Sequence, residues 1–261
     1  MTRLVEKDIE SVTKDLRMLD EELKKCCRKG LFELASYASG IDPDRVRHKK
    51  MGVVTITSGL GVIGGFSESL AGILTYLGAD ANVESHTDVD GFYESRQKRE
   101  GVMMADDDRF ISMRFSDGRM SDNGDATGRG FAAALLMMAG NVQGREVLVA
   151  GAGPVGKSAA AFLARHGAKI LLYDKDPLKL EQVPWQTTDS IEGRRFCLIL
   201  EATTSADVIT RDNVREDVCI AAPGMPLGVE ASLAAELIKK HQLVHNPLEL
   251  GTAVMYTDLL S

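Results

Sequence analysis

Residues 145–174 read REVLVAGAGPVGKSAAAFLARHGAKILLYD, and this stretch decides the fold. REVLVAG is a short apolar, β-branched run, the pattern of a buried strand. Gly151, Gly153 and Gly156 then form G-x-G-x-x-G immediately after that strand. The following GPVGKSAAAFLARHG reads as a helix over 153–167 with a glycine stop. AKILLYD is the next strand and ends in Asp174, 23 residues after Gly151. In a dinucleotide-binding fold an acid at that spacing accepts hydrogen bonds from the adenosine ribose hydroxyls. The backbone near Pro154, Val155 and Gly156 would face a pyrophosphate at the helix N-terminus. The small residues Ser158 to Ala161 let the helix pack closely on a sheet. NAD is therefore the expected cofactor. The charge of Asp174 disfavours the 2′-phosphate of NADP, a preference weakened by Lys175 and Lys179 nearby.

Downstream, FCLILEA (196–202), VCIAAPG (218–224) and LVHN (243–246) read as further strands. GVEASLAAELIKKHQ and GTAVMYTDLL read as helices. This alternation specifies a doubly wound parallel sheet. Thr203, Thr204 and Ser205, in LEATTSAD, are candidates for ribose and pyrophosphate contacts, and GMPLG (224–228) for a loop covering the nicotinamide end.

Upstream, Ile9, Val12, Leu16, Leu19, Leu23 and Cys26 recur at helical steps, with Gly30 as the stop. LFELASYA (31–38) is a second helical patch, and MGVVTIT (51–57) a buried strand. SGLGVIGG (58–65) carries a second G-x-G-x-x-G, Gly59, Gly61 and Gly64, before a helix closed by Gly78. Glu84 stands where a ribose acid would, but Phe66, Ser67 and Glu68 place bulk and charge at the helix start. A carboxylate there would repel a pyrophosphate, so this loop is read as a substrate loop. Its N–H groups and Ser58 would hold a small anion such as an amino-acid carboxylate; Glu68 is alternatively a capping acid. ANVES, EGVMMA and RFISMRF read as strands. EGVMMA runs into Asp106, Asp107 and Asp108, of which Asp106 is best placed to meet a substrate ammonium. DNGDATGRG (122–130) reads as loop and FAAALLMMAG (131–140) as a helix connecting two domains. The expected division is an N-terminal α/β substrate domain over 1–130, preceded by helices, and a Rossmann-type domain over 131–261, its last helix free to pack back on the first.

The remaining features exclude more than they assign. The chain has 261 residues, 31 Lys+Arg against 38 Asp+Glu, and a formal net charge of −7. That balance argues against a large nucleic-acid footprint. No run of about 18 apolar residues predicts a membrane span. The charged MTRLVEKDIE start lacks the apolar segment of a signal peptide. Cys26, Cys27, Cys197 and Cys219 show no disulfide framework, which fits a reduced, cytoplasmic protein. No metal is expected: His241 and His245 lie on a strand-like run and are poorly spaced to share one. Asn246 and Glu249, in HNPLELGTA, stand at a strand end running into a helix, where they could hold substrate or cap that helix.

GVVTITSGLGVIGGFSESLAGIL resembles the strand, loop and helix of the pyrrolysine synthase (PylD) family. MMADDDRF, VLVAGAGPVG, LEATTSA, PGMP and the terminal PLELGTA correspond to further segments of that family, in order and over nearly the whole chain. The resemblance implies an NAD-dependent oxidation of the terminal ornithine amine of L-lysine-Nε-(3R)-methyl-D-ornithine. The imine becomes a semialdehyde, and condensation with loss of water closes the pyrroline ring of pyrrolysine. It implies that Ser58, Gly59, Phe66 and Asp106 line the substrate site and that Leu4 belongs to a first helix closing over substrate. Nucleotide contacts would come from Gly151, Gly153, Pro154, Val155, Gly156, Asp174, Thr203 and Pro223. One position departs: the family carries an acid before the proline of its last motif, where this chain has Asn246, and Glu249 follows three residues on. The alternatives are an NAD-dependent oxidoreductase of another amino acid or imine, and a non-catalytic NAD-sensing module. A small-molecule partner is expected in the enzymatic readings, without nucleic acid or membrane; a homodimer is left open.

Overall fold

Met51, Val53 and Val54 are almost wholly buried, the centre of a strand covered on both faces. They belong to a computed structural model that describes residues 16–45, 47–246 and 248–261. Leu4, Ile9 and Val12 lie outside the described residues. The chain divides into two units. Among the described residues, the first comprises 16–20, 31–126 and 248–261, and the second comprises 21–30 and 127–246.

Helix α1 (Leu16–Cys27) passes from one grouping into the other. It buries Leu16, Leu23 and Cys27 at helical steps. Arg28, at φ 60°, rather than Gly30, is the left-handed residue that follows it, and its N–H returns to the Lys24 carbonyl at 3.0 Å.

In the first unit, α2 (Leu31–Ser39) precedes β1 (Lys50–Thr55), α3 (Phe66–Tyr76), β2 (Asp80–Val83), α4 (Asp88–Lys98), β3 (Gly101–Ala105), β4 (Phe110–Arg114) and β5 (Met120–Asp122). The sheet order is β2-β1-β3-β4-β5. The pairs β2–β1 and β1–β3 are parallel, whereas β3–β4 and β4–β5 are antiparallel. Thr55 registers with Ala105, so the loops after β1 and β3 leave the sheet side by side. Helix α8 (Glu249–Asp258) lies in the core of this unit, with Glu249 through Thr257 all buried. A helix buried all round must match most of its polar atoms internally, and here Thr252 Oγ1 is the exception without a partner. Accordingly the Tyr256 hydroxyl accepts the Lys49 N–H at 3.1 Å, Ser112 Oγ donates to the Met255 carbonyl at 3.0 Å, and Ser39 Oγ meets Thr257 Oγ1 at 2.7 Å.

Helix α5 (Asn123–Ala139) begins where the sequence predicts a loop over 122–130. Asp122 Oδ1 accepts the Gly124 N–H at 2.9 Å and so starts the helix. Its glycines serve packing: a Cβ on Gly128 would collide with the Val155 carbonyl. The contact grouping changes within this helix, at Ala126/Thr127, four residues before the division expected from sequence.

The second unit adds β6 (Glu146–Ala150), α6 (Pro154–Arg165), β7 (Lys169–Tyr173), β8 (Gln186–Thr188), β9 (Phe196–Glu201), β10 (Val214–Ala221), α7 (Ala231–Lys239) and β11 (Leu243–Val244). Its strands run parallel in the order β11-β10-β9-β6-β7-β8. That is the doubly wound Rossmann order, and it reverses between β6 and β9. Leu148, Leu171, Ile199, Ile220 and Leu233 sit in its core.

Candidate functional site

The three glycines after β6 answer three different steric demands. Gly151 turns the chain at φ 101°, and a Cβ there would stand 2.5 Å from the Ala202 carbonyl oxygen. A Cβ on Gly156 would collide with the Gly151 carbonyl, so glycine lets α6 press onto the turn. A Cβ on Gly153 would meet no atom within 4 Å. The middle glycine therefore faces open space, as backbone approached by a pyrophosphate must. Gly153 caps α6 without a side-chain bond and Pro154 takes the first turn, where a missing N–H is harmless. The first bond of the helix runs from Lys157 N–H to the Gly153 carbonyl at 2.9 Å. The N–H groups of Val155 and Gly156 lie ahead of it, at the positive end of the helix dipole.

Register brings the partners to this turn. Ala150 pairs with Tyr173 on one side and with Glu201 on the other. Asp174 consequently lies beside the glycine loop and is nearly buried. Its Oδ2 accepts the Ala152 N–H at 2.8 Å and its Oδ1 the Asp176 N–H at 3.0 Å. Lys179 Nζ stands 3.8 Å from Oδ2, and Lys175 Nζ points instead to Ser205 Oγ at 3.3 Å. The residues present fit a dinucleotide: a glycine turn with room for phosphate, a helix start, and an acid at the neighbouring strand end.

Thr203 and Pro223 follow β9 and β10 along the same edge of the sheet. The Thr203 hydroxyl donates to Glu201, a residue that the sequence presents only as the end of an apolar strand. Glu201 has no exposed surface, and burial raises its pKa despite the donors around it. An acid closing the run FCLIL is the signal that could have found it.

In the first unit, Ser58 and Gly59 lie in the exposed turn after β1, with Gly59 at φ 79°. Carboxylates hold this turn. Asp107 Oδ2 accepts the Leu60 N–H at 2.6 Å, and Asp88 accepts the Thr57 N–H at 2.8 Å and hydroxyl at 2.6 Å. The loop thus meets acids of its own chain where the sequence suggests a substrate carboxylate. Asp106 Oδ1 accepts the N–H groups of Arg109 at 2.7 Å and Asp108 at 2.8 Å. These bonds hold its pKa below the usual carboxylate value. Phe66 opens α3 and meets Phe110 edge to face, centroids 5.7 Å apart. Ser58, Gly59, Phe66 and Asp106 therefore gather at the carboxyl edge of β1 and β3. Glu68 is exposed, and α3 is capped by Gly65 without any side-chain bond. Glu84, the ribose-acid mimic of the first glycine motif, is paired with Arg99 Nε at 3.0 Å.

Asn246 is buried just after β11 in the second unit. Glu249 is buried at the start of α8 in the first unit, where its Oε2 accepts the Leu248 N–H at 3.1 Å. Leu4 lies outside the described residues. Among the described residues no cluster of three His, Cys, Asp or Glu side chains could hold a metal, and no helix is long and apolar enough to cross a membrane. All four cysteines are free thiols.

Residues 5–121 match the family model of the pyrrolysine biosynthesis protein PylD, N-terminal domain, and residues 125–244 match that of the alanine dehydrogenase/PNT C-terminal domain. The pyrrolysine synthase of Methanosarcina acetivorans is 32% identical over 272 aligned residues, covering 100% of both chains. That of Methanosarcina barkeri is 34% identical over 224 residues, covering 81% of each. Among solved structures, quinate dehydrogenase from Corynebacterium glutamicum in complex with NAD shares the fold, with a TM-score of 0.53 at 13% identity over 82% of this chain and 94% of that one. Full-length identity at this level, with the fold and glycine cradle described above, shows that the chain belongs to the pyrrolysine synthase family.

Proposed function

We propose that the protein is an NAD-dependent amine dehydrogenase that forms the pyrroline ring of pyrrolysine from L-lysine-Nε-(3R)-methyl-D-ornithine. The observation that carries the oxidative part is the division of labour among Gly151, Gly153 and Gly156 beside Asp174. Gly153 leaves room for a pyrophosphate, the Val155 and Gly156 N–H groups would bind it, and Asp174 would take the ribose hydroxyls. NAD is favoured over NADP because the charge of Asp174, held beside the glycine turn, would oppose a 2′-phosphate, a preference that Lys179 Nζ at 3.8 Å weakens. When bound, the nicotinamide would accept hydride from the carbon bearing the terminal ornithine amine. The imine so formed would add water and release ammonia. The resulting aldehyde would condense with the remaining amine, losing water, to close the ring.

The chain's own contribution would be binding, orientation and one proton transfer. The acids around the Ser58–Gly59 turn suit a substrate ammonium better than a carboxylate, with Asp106 as the principal partner. Phe66 would pack on the substrate's methylene chain. The family resemblance implies a charge-pairing or proton-accepting acid at the position held here by Asn246, with Glu249 three residues on as the acid that would replace it. Asn246 cannot act as a base, so the proton would pass to Glu249 or to water. A cytoplasmic location suits such a biosynthetic enzyme. The test is NADH absorbance on mixing the protein with NAD and the lysine–methylornithine substrate, with mass analysis of the product. NADH together with a product of pyrrolysine mass supports the reading; NAD binding without turnover overturns the assigned reaction.

A further inference from the structure

A wholly buried carboxylate is costly unless donors converge on it. Glu201, closing β9, has three donors on its side chain and no cation among its partners in the described residues. Its Oε1 accepts the Thr203 N–H at 2.7 Å and the Thr203 hydroxyl. Its Oε2 accepts the Gly228 N–H at 3.1 Å, and its main-chain carbonyl accepts the Gly224 N–H at 3.0 Å. Both glycines exist in relation to it: a Cβ on Gly224 or Gly228 would collide with the carboxylate. A Cβ on Gly224 would also stand 2.8 Å from the Thr203 carbonyl, so the two loops are in close contact. They are joined again further on, where the Ile209 N–H donates to the Gly228 carbonyl at 2.8 Å.

The sheet order says which part of a dinucleotide these loops would meet. Asp174 follows β7, the glycine turn follows β6, and the loops held by Glu201 follow β9 and β10 on the far side of β6. With adenosine at Asp174 and pyrophosphate at the turn, the nicotinamide half must extend over β9 and β10.

We propose that Glu201 is a positioning residue for the nicotinamide half of the cofactor. Its side chain ties the 203–205 loop to the 224–228 loop, so that one buried group sets the surface on which the nicotinamide riboside rests. The adenosine half does not depend on it. This inference rests on the reading of the second unit as a dinucleotide site.

The experiment is calorimetric titration of the full-length protein and its Glu201→Gln and Glu201→Asp variants with AMP and with NAD. The glutamine can still accept from Thr203, but its amide N–H would oppose the Gly228 N–H, donor against donor. Glu201→Gln should bind AMP within about twofold of the unsubstituted protein and NAD about tenfold or more weakly, since one buried hydrogen bond is reversed. Glu201→Asp, which keeps the charge but draws the carboxylate back by one methylene from the Gly228 N–H, should show the same split with a smaller loss, and it serves if the glutamine variant does not fold. Equal losses for AMP and NAD would reduce Glu201 to a general structural role and overturn the proposal. So would NAD affinity unchanged in both variants. If the unsubstituted protein bound neither ligand, the dinucleotide reading itself would fall, a result separate from any effect of substitution.

Discussion

Adding one methyl group at Gly153 and, separately, at Gly156 distinguishes a glycine kept for a ligand from one kept for the fold. Gly153 has φ −76° and ψ −177°, which alanine adopts without strain. A Cβ there meets no protein atom within 4 Å. Gly153→Ala should therefore change folding stability between zero and a gain of about 1 kcal/mol, the gain coming from a less free unfolded chain. The same methyl would stand in the space assigned to the pyrophosphate. Losing one charge-assisted N–H bond of about 1.5–3 kcal/mol weakens NAD binding by about tenfold to a hundredfold. At Gly156 the added Cβ runs into the Gly151 carbonyl, which is backbone and cannot rotate away. Gly156→Ala should lose about 1–3 kcal/mol of stability. Thermal unfolding gives the first quantity and calorimetric NAD titration the second. The reasoning is refuted if Gly153→Ala melts as low as Gly156→Ala, or if it binds NAD as tightly as the unsubstituted protein.

Asp106→Asn keeps an oxygen for the Asp108 and Arg109 N–H groups but removes the charge, so turnover should fall far more than the melting temperature; equal falls would make Asp106 only a turn former. Because those N–H groups lower its pKa, Asp106 contributes stability that is present above its unfolded value of 3.8 and is lost only as pH falls through the lower folded value, so substrate affinity measured from pH 7 to pH 5 should show no titration from this group. Tyr256→Phe strands the Lys49 N–H and should lower stability by about 1–3 kcal/mol, read as a lower urea midpoint at unchanged slope. Burial pushes the Cys26 thiol up to about 11 and the Cys27 thiol up to about 12, so alkylation near pH 8 should be slow in the native protein and fast in denaturant; rapid native labelling of Cys27 would contradict its burial.

The second unit is the more legible from sequence because its strands, buried on both faces, announce themselves as apolar runs and its glycine motif has a fixed context. The elements that escape have cores made of the wrong residue types for a hydrophobicity reading. Helix α4 buries Gly91 and Ser95, while its Val89 and Tyr93 are exposed. It lies close to β1 because Gly52 has no side chain, a Cβ there colliding with Ser95 Oγ. The start of α5 is hidden in the same way: Gly124, Gly128 and Gly130 read as loop, although Gly128 is needed for approach to α6. β8 is short and mostly exposed. In the site, residue types point to the glycine turn and Asp174, but Glu201 and the carboxylates holding the Ser58 turn depend on contacts between segments distant in sequence.

Helix α8 gives the first unit an unusual place in time. Ser39 meets Thr257 across 218 positions of sequence, and residues 127–246 are made in between. The ribosome therefore delivers the strands of the first unit early and its central helix last. Closing so long a loop costs only about 0.6 kcal/mol more than closing one half its length, but contacts this distant slow the search. Until residues 249–258 emerge, the buried faces of α2, α3, β4 and β5 that pack on α8 lack their partner, whereas the six strands of the second unit are already complete. Synthesis thus enforces an order in which the second unit can be finished before the first has its core.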